Sequence, residues 1–97
     1  MKIVASPGVA ELVGRSSGRL YVWVEHARCC GGGLTLLETG SEEPSGEHAF
    51  ISVEADGFQL RIDPGRRPLP EELNLEVRRG LRGSRVEAYW NGCVFAD

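Results

Sequence analysis

The chain has 97 residues, 41% apolar and 26% charged, with a net charge of −3 and a pI near 5.4. That length fits a single domain over residues 1–97 whose modest core buries about 65% of the unfolded surface. The acidic balance argues against nucleic acid as a partner, since phosphate recognition needs a concentrated positive surface.

The opening Met1-Lys2-Ile3-Val4-Ala5-Ser6-Pro7 is too short an apolar run for a signal peptide, and the longest apolar stretch, residues 20–24, is far below a membrane span. A cytoplasmic protein with no membrane partner is expected. Ser6-Pro7 reads as a helix start, with Ser6 as N-cap and Pro7 in the first turn, where its missing N–H costs nothing. Val9, Leu12 and Val13 then form one apolar stripe, and Gly14 and Gly18 frame the exit of a short helix.

From Arg19 the period changes to two. Leu20, Val22 and Val24 point one way, Tyr21, Trp23 and Glu25 the other, and bulk on both faces predicts a central strand. A second strand is expected over residues 34–38, and an exposed acidic loop over residues 39–47. Residues 49–54 and 58–63 read as two strands around Asp56-Gly57, a strong hairpin signal because a type I′ turn wants positive φ at both central positions. Pro64-Gly65, Pro68 and Pro70 break the pattern. Alternation resumes at Leu73, Leu75 and Val77, and again at Val86, Ala88 and Trp90. The expected fold is mainly β (α+β), a small antiparallel or mixed sandwich with one short N-terminal helix.

Chemistry concentrates at the cysteines. Cys29-Cys30 runs into three glycines, and Cys93 stands alone near the C-terminus. In a reducing compartment these are free thiols, and a disulfide between neighbours would close a strained ring. Arg28 favours thiolate at Cys29, and thiolates suit Zn²⁺, Cu(I) or iron–sulfur clusters. Buried free cysteines that act only as small hydrophobes are equally compatible with these residue types.

The remaining candidates carry less. His26 shares the face of Val22 and Val24 and is the best non-cysteine ligand, although a packed histidine is the commoner outcome. His48 is expected to open a strand in solvent. Arg78, Arg79, Arg82 and Arg85, with Arg66 and Arg67, read as a solvated face rather than an anion site. Trp23 and Trp90 are expected in the core or an interface, with Trp90 placed to shield a site at Cys93. No Walker loop, Gly-x-Ser-x-Gly elbow or His-Glu-x-x-His occurs, and Glu42, Glu43 and Glu47 lie in a polar loop unsuited to held acid–base geometry. A non-enzyme is expected.

A helix leading into a strand that ends in Cys29-Cys30-Gly31, an acidic loop, the hairpin Asp56-Gly57-Phe58-Gln59-Leu60-Arg61-Ile62-Asp63 and a closing Cys93 together resemble the HesB/IscA-like A-type iron–sulfur carrier family. The resemblance implies a small β-rich fold, homodimeric or higher. It also implies that iron or a [2Fe–2S] cluster is bound through three cysteines and handed to apoproteins alongside other cluster-assembly proteins. Cys29 matches the first family cysteine and Cys93 one member of the terminal Cys-Gly-Cys. The chain departs from that pattern at Asn91-Gly92-Cys93-Val94-Phe95, where one paired cysteine is absent. The missing ligand falls at Asn91 or at Phe95, with spacing slightly favouring Phe95, and Cys30 is an extra thiol that restores the count of three. Two other readings remain open: a degenerate domain serving as a non-metal binding or oligomerisation module, and a thiol redox protein using Cys29 or Cys30 as nucleophile.

Overall fold

The computed structural model describes residues 1–29, 32–55, 57–65, 68–81 and 83–91, with the backbone alone for 26–29 and 32–36. Strand β1 (Lys2–Ala5) leads into helix α1 (Pro7–Arg15), followed by β2 (Arg19–Cys29), β3 (Gly32–Gly40), β4 (Ile51–Ala55), β5 (Phe58–Asp63), β6 (Glu72–Gly80) and β7 (Gly83–Trp90). These form a three-stranded sheet ordered β1-β6-β7 and a four-stranded sheet ordered β3-β2-β5-β4. The fold is mainly β with one short helix, as expected, and both sheets are mixed: β1 pairs parallel with β6, and β2 parallel with β5.

Helix α1 starts where proline's fixed φ permits, but the Ser6 side chain makes no capping bond. Its carbonyl instead accepts from the Val9 N–H, and its N–H donates to the Leu75 carbonyl, tying the helix start to β6. Val9 and Val13 are buried and Leu12 half-buried, so the apolar stripe faces the core. At the other end the Val13 carbonyl accepts from the Ser16 N–H, the Gly18 N–H and the Ser16 hydroxyl. Gly18, at φ 75°, supplies the left-handed residue that turns the chain into β2.

Strand alternation delivers the core. Leu20 and Val22 of β2, Phe58, Leu60 and Ile62 of β5, Leu73 and Leu75 of β6, and Val86, Ala88 and Trp90 of β7 pack with the two helix valines in one apolar cluster. In β2 the predicted central strand is confirmed, flanked by β3 and β5. The β4–β5 hairpin closes with Ala55 opposite Phe58. Gly57 takes φ 87°, a conformation that favours glycine, and a Cβ there would stand 3.1 Å from the Ala10 methyl, so this turn sits tightly against the helix. Asp56 lies outside the described residues.

Three boundaries differ from expectation. Strand β1 escaped notice because it is four residues long and only Ile3 turns inward. Strand β3 runs from Gly32 to Gly40 rather than 34–38, its glycines drawn into register by β2, with Cys29 opposite Gly32 and Tyr21 opposite Gly40. Strand β4 begins at Ile51, not at residue 49. Among the described residues no helix is long and apolar enough to cross a membrane.

Candidate functional site

Cys29 is the last residue of β2, while Cys30 and Cys93, and the Cys29 side chain, lie outside the described residues. The ladder between β2 and β5 covers only Arg19 to Trp23, whereas that between β2 and β3 continues to Cys29. Beyond Trp23, therefore, β2 and β3 run on as a ribbon without a third strand among the described residues. His26 lies on this ribbon opposite Thr35; its side chain is not among those described.

Strand β7 heads toward the same end of the molecule. The Thr39 hydroxyl of β3 donates to the Val86 carbonyl of β7. Gly40 and Ser41 share a groove with Ser84 and Arg85, and Leu37 to Thr39 border a second one with Val86 to Tyr89. Successive neighbours thus run in opposite senses, so β7 climbs as β3 descends toward Gly32. Trp90 is buried in the core, and Asn91 then turns the chain at φ 50°. Asn91 donates its N–H to the Glu72 carbonyl and accepts the Glu72 N–H on Oδ1, closing the end of the β6–β7 pair. The start of the terminal motif is therefore committed to structure. Asparagine also tolerates left-handed φ better than cysteine, which makes position 91 an unsuitable place for the missing thiol.

A second cluster, on the outer face of the four-stranded sheet, was not expected. Tyr21 and Trp23 of β2 and Arg61 and Asp63 of β5 alternate away from the core, and the segment after the acidic loop folds across them. His48 was expected in solvent, but its side chain is 17% exposed. Its Nδ1 stands 2.9 Å from the Asp63 carboxylate, which accepts the N–H, and its ring lies against Trp23 and Phe50. Phe50 meets Tyr21 edge to face at 5.3 Å, and Arg61 lies 6.0 Å from the Tyr21 ring centre. Trp23, expected in core or interface, is thus half-buried under this cover. The pairing was hidden because His48 and Asp63 meet only once the β4–β5 hairpin has closed.

Burial pushes the Asp63 carboxyl up, but hydrogen bonds from the Gly65 N–H, His48 and the Ala49 N–H outweigh it and hold the group below the ordinary 3.8. A carboxylate with a depressed folded-state pKa contributes stability that is present above its unfolded pKa and lost as pH falls through the folded one. In thermal melts from pH 7 to pH 2, the wild type will therefore lose stability more steeply than Asp63→Asn below about pH 4. Parallel acid limbs would refute the assignment.

The arginine face is solvated, as expected, where it is described. Arg78, Arg79 and Arg85 are exposed, and Arg78 and Arg85 each meet Glu87 at 3.2 Å. Burial raises the Glu87 carboxyl, and the Tyr89 hydroxyl and the two arginines more than offset this. Arg66, Arg67 and Arg82 lie outside the described residues. Among the described side chains no three of His, Cys, Asp and Glu gather as a metal site.

No family model matches the sequence, and no curated protein matches it. The fold is similar to solved structures. One is IscA with its [2Fe–2S] cluster, at TM-score 0.55 and 15% identity over 90% of this chain and 83% of that one. Another is Escherichia coli SufA, involved in biosynthesis of iron–sulfur clusters, at TM-score 0.50 and 19% identity over 93% of this chain and 81% of that one.

Proposed function

We propose that this chain is a cytoplasmic A-type carrier that takes iron or a [2Fe–2S] cluster as cargo on Cys29, Cys30 and Cys93 and passes it to apoproteins, with no turnover of its own. The observation that carries this reading is the opposed course of β3 and β7. Gly32, the partner of Cys29, lies seven positions back along the chain from Thr39, and Cys93 lies seven positions on from its neighbour Val86. On this reading Cys29 and Cys93 meet at one end of the sandwich. The likeness to IscA and SufA supports the same reading at the level of the fold.

Thiolate is the appropriate donor, being soft and matched to iron–sulfur cargo. A cluster is held by four protein ligands; three thiols per chain leave one position to a second subunit or to the acceptor, as suits cargo that must leave. Such sharing calls for a homodimer or higher oligomer. Anaerobic reconstitution with ferrous iron and sulfide tests the reading. Sulfide-to-iron charge-transfer bands in the visible spectrum are expected, with the bands moving to an apo-ferredoxin on mixing. A colourless protein after reconstitution would overturn it.

A further inference from the structure

At the end of the molecule away from Cys29, the sandwich is open. There the end of α1, the start of β2, the end of β3 and the start of β7 surround a cleft of about 310 Å³. It exists because β3 and β7 are edges of different sheets, and between them the Thr39–Val86 bond is the hydrogen bond present among the described residues. The floor is apolar, made by Val13, Leu20 and Val86, all buried, with half-buried Leu12 beside them. Three guanidinium side chains from three elements, Arg15, Arg19 and Arg85, line it, and no carboxylate does.

Two of these cations are already engaged at exposed sites, Arg15 with Glu11 and Arg85 with Glu87. Arg19 has no carboxylate within ion-pair distance among the described residues. At the carbonyl end of α1, which would repel an anion, the Val13 carbonyl is answered by three donors.

We infer that this cleft binds a small aliphatic monocarboxylate, its alkyl chain on the Val13–Leu20–Val86 floor and its carboxylate on Arg19. An apolar floor selects the alkyl chain over inorganic phosphate. The planar guanidinium fork favours a carboxylate, which it holds through two parallel hydrogen bonds. The volume stands at the lower end of the roughly 300–1,000 Å³ of small-molecule sites, which limits the ligand to a short or medium chain.

A ¹⁵N–¹H NMR titration with octanoate, octylammonium and inorganic phosphate tests this. Octanoate should give saturable shifts confined to amides of residues 16–20, 39–41 and 84–86, and octylammonium and phosphate none. Arg19→Gln, an exposed position, should weaken octanoate about tenfold, the cost of a lost charged hydrogen bond. Ser84→Trp, which fills the cleft from an exposed position, should abolish binding with the thermal midpoint unchanged. Shifts of equal size with octylammonium or phosphate, shifts centred elsewhere, or unchanged affinity in both variants would overturn the inference.

Discussion

Replacing Leu60 by alanine will destabilise the protein by about 3 kcal/mol, within the roughly 2–5 kcal/mol measured for such core truncations. Leu60 has no exposed surface and lies mid-strand in β5, between Leu20 of β2 and Val53 of β4. Truncation removes the transfer free energy of three carbons and leaves a void that two paired backbones cannot collapse to fill. Domains of this size are stable by roughly 5–15 kcal/mol, so the loss is a large share of the total, and the midpoint should fall by roughly 15 °C. Ile51→Ala, at a 44% exposed site on the edge strand β4, is the control and should cost about 1 kcal/mol or less. Urea unfolding of both variants checks the pair; equal losses would mean that the core is not centred on β5.

The second large effect concerns cargo. Cys29→Ser and Cys93→Ser should each lower iron occupancy after reconstitution roughly tenfold or more, since even outer-shell changes around a metal cost 10–100-fold. Far-UV circular dichroism should not change. The converse substitution sharpens the test. Asn91 sits at a left-handed φ with its Oδ1 accepting the Glu72 N–H, so a cysteine there would lose that bond and strain the turn. Phe95→Cys, at a position outside the described residues, is the other candidate. It should raise cluster retention against chelator, whereas Asn91→Cys should lower the thermal midpoint. Full occupancy in Cys29→Ser or in Cys93→Ser would remove the carrier reading, whatever the state of the fold.

Which parts of this were legible in the residues follows from what periodicity can carry. Leu20-Tyr21-Val22-Trp23 and Phe58-Gln59-Leu60-Arg61-Ile62 announce strands with a wet and a dry side, and the dry side proved to be the core. Periodicity does not name partners. That β2 lies parallel to β5, and β1 to β6, is settled by the packing of the whole sandwich and has no local signal. Glycine's weak strand propensity hid the start of β3, where a long antiparallel neighbour overrode it. The loop over residues 39–47 looked wholly solvated. Its charged residues are exposed, but Thr39 and Gly40 end a strand, and the chain just beyond it covers an aromatic face through His48 and Phe50. The cysteine ligands remain a proposal drawn from resemblance and strand direction.

The parallel pair β1–β6 has a consequence for biosynthesis. Lys2 leaves the ribosome well before its ladder partner Glu72, and β6 in turn needs β7 up to Trp90. The three-stranded sheet therefore cannot assemble while the chain is still emerging. Helix α1 lacks one wall of its pocket until Leu73 and Leu75 arrive. Folding is accordingly a late, concerted event dominated by contacts distant in sequence, and slow for a chain so short. During that interval the nascent chain holds Cys29 and Cys30 outside a finished sandwich, open to oxidation or adventitious metal.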